Sequence, residues 1–391
     1  MKIALVSPYD YAYPGGVVNH ITALEKQLTA MGHDVRVIAP ASKPIRSIGE
    51  RFIRIGTPRP IPVSGTTARI CISLRLASRI KEVLAAEKFD LIHLHEPFLV
   101  MLCSAMLRFS NSVNIGTFHA TGSRPGYNSG WPLSRIMLKR RMKKLSGRIA
   151  VSPAAMDYCS KYIPGPYEII PNGIDLEHFS PDVEPVEKYM DGKLNILFVG
   201  RLEKRKGLKY LISAYRQVKK QRPESRLIVV GPGTRMLKGY ERQVKESGLA
   251  DDVVFVGSVS QEELPRYYKT ADIFCAPATG QESFGIVLLE AMALGKPIVA
   301  SRIDGYANVL THGREGLLAA PKNSAELARA LLRLAGDESL RQEMGERGML
   351  TARNYSWQRV AQMVLAYYNR VLSQHQAKGS LSEYEVSPAS A

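Results

Sequence analysis

Short β-branched runs alternate with longer amphipathic ones along this chain, and the alternation is run through twice. Residues 3–6, 35–38, 91–94, 113–116 and 148–151 read as strands, with segments of helical length such as 17–31 and 73–86 between them. Strand–helix–strand repetition demands a parallel sheet with helices on both faces. The pattern restarts at 194–200, continues with a helix over 208–220, and adds strands at 226–231, 253–257, 272–276 and 297–301. Between the two runs, Ser180-Pro181-Asp182-Val183-Glu184-Pro185 is polar and proline-containing, as linkers are. The fold class is therefore α/β: two doubly wound parallel-sheet (Rossmann-like) domains joined near residues 172–190. Their expected extents are 1–172 and 190–354, followed by a helical segment at 355–374. The small-residue stretch 375–391 reads as a disordered tail. In open parallel sheets ligands bind outside the carboxyl ends of the strands. Two such domains facing a central cleft would set both ligand edges across it, so chemistry is sought just after strands.

Composition narrows the partners. A chain of 391 residues is long enough for two cores. It holds no run of about 18 apolar residues, so no membrane-spanning helix is expected. Residues 1–8 read as a first buried strand and lack the apolar stretch and cleavage site of a signal peptide. Cys71, Cys103, Cys159 and Cys275 form no C-x-x-C pair, which leaves zinc and redox chemistry without support and suits buried thiols in a reducing cytoplasm. Net charge is +17, and residues 1–172 carry +13 of it. An anionic partner is thus expected to meet the first half.

The most informative segment is 280–297, Gly280-Gln281-Glu282-Ser283-Phe284-Gly285-Ile286-Val287-Leu288-Leu289-Glu290 and onward to Pro297. A strand leads into a loop, and the loop into an apolar helix ending at Gly295. Glu282 stands just before that helix and Glu290 about one turn inside it, a polar residue flanked by Leu288, Leu289, Ala291 and Met292. Gly285 leaves the first amides open to a ligand, where the helix dipole favours anions. A carboxylate here suits sugar or ribose hydroxyls. Arg201 and Lys206, after the strand at 194–200, are placed to neutralise a diphosphate, while Lys204 and Arg205 read as solvated. Gly15-Gly16 opens the first helix as a phosphate approach, although the full G-x-G-x-x-G of NAD-dependent dehydrogenases is absent. His119 ends a first-domain strand. His93 and His95 alternate on another and resemble half a metal site, but no third ligand accompanies them. His20 reads as structural, and Asn172-Gly173 as a hinge turn.

Together these segments resemble the retaining glycosyltransferases of family 4, with the GT-B fold. Glu282 and Glu290 match that family's paired glutamates with seven residues between them. The resemblance implies that Glu282 contacts the transferred sugar and Glu290 the donor ribose, with Ser283, Phe284, Gly285, Ile286 and Val287 lining the substrate site. It implies that Arg201 and Lys206 stabilise the departing nucleotide, that Gly15 and Gly16 contact the diphosphate, and that His119 approaches the sugar. No D-x-D triplet occurs, so no metal and no other cofactor is expected; the nucleotide sugar is a substrate. Tyr9, Gly15-Gly16-Val17, His95-Glu96-Pro97, Thr117-Phe118-His119, Arg148–Ser152 and Cys275–Gly295 are most similar to the phosphatidylinositol mannosyltransferases. That likeness implies GDP-mannose as donor, phosphatidylinositol as acceptor, and a C-terminal helix crossing back to the first domain.

Residues 133–145 hold Arg135, Lys139, Arg140, Arg141, Lys143 and Lys144 and no acid. At helical spacing Leu138, Met142 and Leu145 form a core stripe, and the cations cover most of the rest. Such a surface suits an anionic phospholipid membrane, at about 1 kcal/mol per basic residue. No nucleic-acid module accompanies it. The expectation is a peripheral enzyme on the cytoplasmic face of the cell membrane. The alternatives are a soluble transferase using a UDP-sugar, and a GT-B epimerase or non-catalytic nucleotide-sugar-binding protein.

Overall fold

A computed structural model describes residues 1–63, 66–71, 76–98, 101–120 and 138–384. The chain divides into two units, Met1–Pro171 with Trp357–Ala391, and Asn172–Ser356.

The first unit is built on β1 (Lys2–Val6), β2 (Asp34–Ala39), β3 (Phe52–Arg54), β6 (Leu91–His95), β7 (Val113–Phe118), β8 (Gly147–Ala150) and β9 (Glu168–Ile169). All are parallel, in the order β3-β2-β1-β6-β7-β8-β9. Ile3, Ala4, Leu5 and Val6 are fully buried, as a continuous apolar run on a sheet covered on both faces must be. An antiparallel hairpin of β4 (Arg59–Val63) and β5 (Thr66–Ile70) was not anticipated; Pro60 and Pro62 suppress the strand signal and confine such a segment to an edge. The helix Gly16–Ala30 buries Val18, Ile21, Leu24 and Leu28 at helical spacing. The helix Trp357–Tyr384 lays Val360, Ala361, Val364, Tyr368 and Val371 into the same core. Its Tyr367 hydroxyl accepts from the Arg148 amide (2.8 Å) and donates to the Arg148 carbonyl (3.2 Å), gripping β8. This helix continues past residue 374, where the tail was expected to begin, because residues 375–378 and 381–384 are mostly competent helix formers. Residues 385–391 lie outside the described residues.

The second unit orders β10 (Leu194–Val199), β11 (Ser225–Val230), β12 (Val253–Gly257), β13 (Ile273–Ala276), β14 (Ile298–Ser301) and β15 (Gly316–Ala319) as β12-β11-β10-β13-β14-β15, again all parallel. One face is covered by the helices Leu208–Gln221, Leu237–Glu246 and Ser324–Gly336, the other by Leu264–Thr270 and Ile286–Ala293. The expected linker is part of this unit: Ile174, Phe179 and Tyr189 are buried in its core, and the Ile174 amide donates to the Tyr355 carbonyl (2.8 Å). Prolines punctuate the segment, but its apolar residues find a core to enter. Among the described residues no helix is long and apolar enough to cross a membrane.

Each sheet has one place where successive connections leave in opposite directions: between β1 and β6 in the first, between β10 and β13 in the second. A crevice opens at the carboxyl ends of the strands there, and it is where open α/β sheets bind ligands.

Candidate active site

In the second unit, the loop after β10 carries residues 201–207 and the loop after β13 carries 277–285. Gly207 adopts φ +75°, and a Cβ on it would collide with the Pro277 carbonyl, so only glycine lets the two loops lie together. The Thr279 amide and hydroxyl both donate to the Arg205 carbonyl, at 2.7 and 3.2 Å. Across this seam one oxygen of Glu282 accepts from Arg205 Nη1 (2.5 Å) and from Lys206 Nζ (2.7 Å). Arg205 Nε donates to Glu203 (2.8 Å), itself buried, and Arg201 lies 3.8 Å from the other Glu203 oxygen with its side chain about half exposed. Arg205, read as solvated, is thus the bridge between two carboxylates. Glu203, two residues before it, was the local signal for this.

Gln281, next to Glu282, is a non-glycine residue at φ +60°, a conformation that surrounding structure must hold. Ser283, Ile286 and Val287 are partly buried. Phe284 packs its ring into the core, 5.8 Å from that of Tyr355, so what it offers a ligand is backbone. Gly285, at φ +84°, precedes the helix Ile286–Ala293, whose first amides have no intrahelical acceptor. Glu290 accepts from the Tyr268 hydroxyl (2.6 Å). Burial pushes its carboxyl above the ordinary range, opposed by the Tyr268 bond and then by the Lys206 charge. Burial also pushes the Tyr268 phenol far up, which keeps it a donor.

The first unit offers a different edge. Nothing stands within 4 Å of where a Cβ would sit on Gly15 or Gly16, so the start of the helix Gly16–Ala30 is open to a ligand. His119 follows β7. Its amide donates to Glu96 Oε1 (2.8 Å), and its ring Nε2 lies 3.0 Å from Nδ1 of His95. Glu96 holds φ +52°. His93 bonds the Tyr368 hydroxyl (2.6 Å) and Thr117 Oγ1 (2.5 Å). Burial, and then the neighbouring His20, press its pKa down to about 3. His95 is driven well below the usual range by burial and by His93, His20 and His119. Both rings are therefore neutral at ordinary pH, and among the described residues no three metal-ligating side chains are grouped to hold an ion. His20 joins the cluster edge-on to His95, His119 and Trp357, at 5.2, 5.0 and 5.0 Å.

Of the basic segment, Arg135 lies outside the described residues, and residues 138–142 are helical. Met142 and Leu145 pack inward. Arg141 donates to Ser104 Oγ, and Lys144 Nζ donates to the carbonyls of Arg108 (2.6 Å) and Ser110 (2.9 Å), capping the helix Met101–Phe109. These two cations tie the segment to the fold, whereas Lys139, Arg140 and Lys143 stand exposed.

Two doubly wound sheets, one with cations paired to a carboxylate at its switch point and the other with clustered histidines there, have the architecture of a glycosyltransferase of the GT-B fold. Sucrose-phosphate synthase from Thermosynechococcus elongatus has that architecture with a TM-score of 0.76 at 24% identity, covering 95% of this chain and 99% of its own. Residues 14–178 match the profile of Glycosyltransferase Family 4 and residues 183–350 that of Glycosyl transferases group 1. The chain belongs to glycosyltransferase family 4 and is a hexosyltransferase. It is 34% identical to the phosphatidyl-myo-inositol mannosyltransferase of Mycobacterium leprae over 95% of this chain and 97% of the relative. It is 35% identical to that of Propionibacterium freudenreichii over 94% of each.

Proposed function

We propose that the enzyme transfers mannose from GDP-mannose to phosphatidylinositol, with retention at the anomeric carbon and without a metal ion, on the cytoplasmic face of the membrane. The observation that carries the donor site is the contact of Glu282 with Lys206. In a nucleotide sugar the diphosphate is bonded directly to the sugar, so a cation for one and a carboxylate for the other must be neighbours, and here they are 2.7 Å apart. Breaking the anomeric C–O bond builds negative charge on the diphosphate. Lys206, Arg201 and the amides opening the helix at Ile286, all on the second unit, stabilise that charge, and the amides at Gly16 are a further diphosphate contact. Glu282 and His119 orient the sugar, and Glu290 takes the ribose hydroxyls. The acceptor hydroxyl attacks from the leaving-group side, its proton passing to the diphosphate oxygen; neither glutamate is required as a nucleophile.

The lipid acceptor is supported by the named activity of the relatives and by the exposed Lys139, Arg140 and Lys143. The test is incubation of the protein with labelled GDP-mannose or labelled UDP-sugars and phosphatidylinositol vesicles, with and without EDTA. Labelled lipid from GDP-mannose alone, undiminished by EDTA, is the expected result; label only from UDP-sugars or only in water-soluble product sinks the proposal. Arg140→Glu with Lys143→Glu weakens vesicle binding by about 1 kcal/mol per residue. Donor binding should stay intact, and unchanged vesicle affinity would remove the membrane argument.

A further inference from the structure

His95 and Glu96, consecutive at the end of β6, each hold one part of His119: the ring through Nδ1 of His95 (3.0 Å) and the backbone amide through Glu96 Oε1 (2.8 Å). His95 is fully buried, and its Nε2 has no hydrogen-bond partner among the described residues. We propose that His95 is a positioning residue that donates its only proton from Nδ1 to His119 Nε2 and so holds His119 as the neutral Nδ1–H tautomer. The effect on the reaction rests on the reading of His119 as a sugar contact; the tautomer itself does not.

A neutral imidazole has one donor and one acceptor, and hydrogen bonding decides which nitrogen is which. With the proton on Nε2, His95 would bury an unpaired N–H. With it on Nδ1, the donor is matched by His119 and only a lone pair goes unpaired. Orphaned buried N–H groups are the rarer of the two defects. His95 has no charged state available to escape the choice, since burial and the neighbouring histidines oppose its protonation. Among the described residues, the groups facing the pair include His20 from the first helix, His93 and Glu96 from β6 and its end, Cys103, whose thiol donates to the His95 carbonyl (3.4 Å), and Tyr368 through His93. Once Nε2 of His119 accepts, its own proton must sit on Nδ1. An imidazolium at 119 would set two N–H groups head to head. His119 is thereby kept as a neutral donor with a fixed ring plane, edge to edge with His95 at an interplanar angle of 23° and with centroids 5.3 Å apart. Such a group hydrogen-bonds a sugar hydroxyl without placing a cation beside a positively charged transition state.

Nitrogen-15 NMR of the histidine-labelled full chain reads this directly, with His119 signals assigned by their loss in His119→Gln. The expected spectrum has His119 protonated at Nδ1 in the native protein and in His95→Asn, whose amide reaches the Nδ1 position. In His95→Phe the proton redistributes to Nε2. Native His119 protonated at Nε2 overturns the proposal, as does the same tautomer in His95→Phe. If His95→Phe does not fold, the native and His95→Asn spectra decide alone. In turnover, His95→Phe is expected to lose about tenfold in kcat, with asparagine restoring part of it. The donor KM should be unchanged. A tautomer change with undiminished kcat would leave the proton assignment standing and remove His119 from the sugar.

Discussion

At the switch point of the first sheet, His20, His93, His95 and His119 are clustered with neighbouring centroids 4.4–5.3 Å apart, and burial holds His93 and His95 neutral. At the corresponding place in the second sheet, Glu203, Arg205, Glu282 and Lys206 form a chain of ion pairs. The same doubly wound topology thus fixes where a ligand edge lies and leaves its electrostatics to the loops. The charge of each half of the sequence is a poor guide to this. Residues 1–172 carry +13, yet that half's switch point is built around the neutral rings of His93 and His95, and exposed cations stand at Lys139, Arg140 and Lys143 instead. Net charge points to a surface, and the site is found by topology.

The largest effect expected is at the charged edge. Lys206→Met removes the proposed diphosphate cation and one of two cations paired with Glu282, and should lower turnover by about 10²- to 10³-fold, as loss of a preorganised charge donor does. His119→Gln, at the neutral edge, should cost clearly less. Steady-state mannosyl transfer compares them, and equal losses would break the distinction between a charge-stabilising edge and an orienting one.

The neutral edge should show itself in acid. A histidine whose folded pKa lies below its unfolded value binds fewer protons folded than unfolded, so stability is lost as pH falls from about 6.5. For His93, pressed down to about 3, the loss between pH 7 and pH 5 is about 2 kcal/mol, with His95 adding in the same direction. Urea unfolding at both pH values measures it. His93→Gln keeps hydrogen-bonding capacity without a titrating ring and should flatten the dependence; parallel curves for the two proteins would sink the assignment.

How far the sequence carries this is uneven, for physical reasons. Strand rhythm and loop position were enough to place Glu282, Glu290, Arg201 and Lys206 in the segments that follow β10 and β13, because a switch point is a property of chain order. Arg205 was misread because its partner Glu282 is 77 residues away and meets it only once β13 pairs with β10. The histidine cluster was hidden in the same way: its rings come from the helix Gly16–Ala30, from β6 and from the end of β7, and neither the single histidines nor the pair on β6 give a local sign of the others. Lys144 looked like a surface cation, and its capping of the helix Met101–Phe109 depends on a tertiary approach with no sequence period.

Glu290 tests the charged edge most finely. Its carboxyl is raised by burial, so the folded state holds that proton more tightly than the unfolded chain, and stability is lost as pH rises through the raised pKa. Burial thus makes the ionised side chain a cost to the free fold, which the proposed ribose contact would explain. Glu290→Gln has the same shape, can still accept from the Tyr268 hydroxyl, and leaves Lys206 paired with Glu282. It should therefore stabilise the free protein by about 1 kcal/mol, the size common for relieved functional strain. It should also bind nucleotide less well, since a neutral amide is a poorer partner for ribose hydroxyls than a carboxylate. Thermal melting at pH 7 with and without GDP separates the two effects: a higher melting temperature alone, and a smaller rise on adding GDP. A variant that melts below the native protein without nucleotide would mean that the Glu290 charge supports the fold, and the second edge would then be stabilised by all of its charges alike.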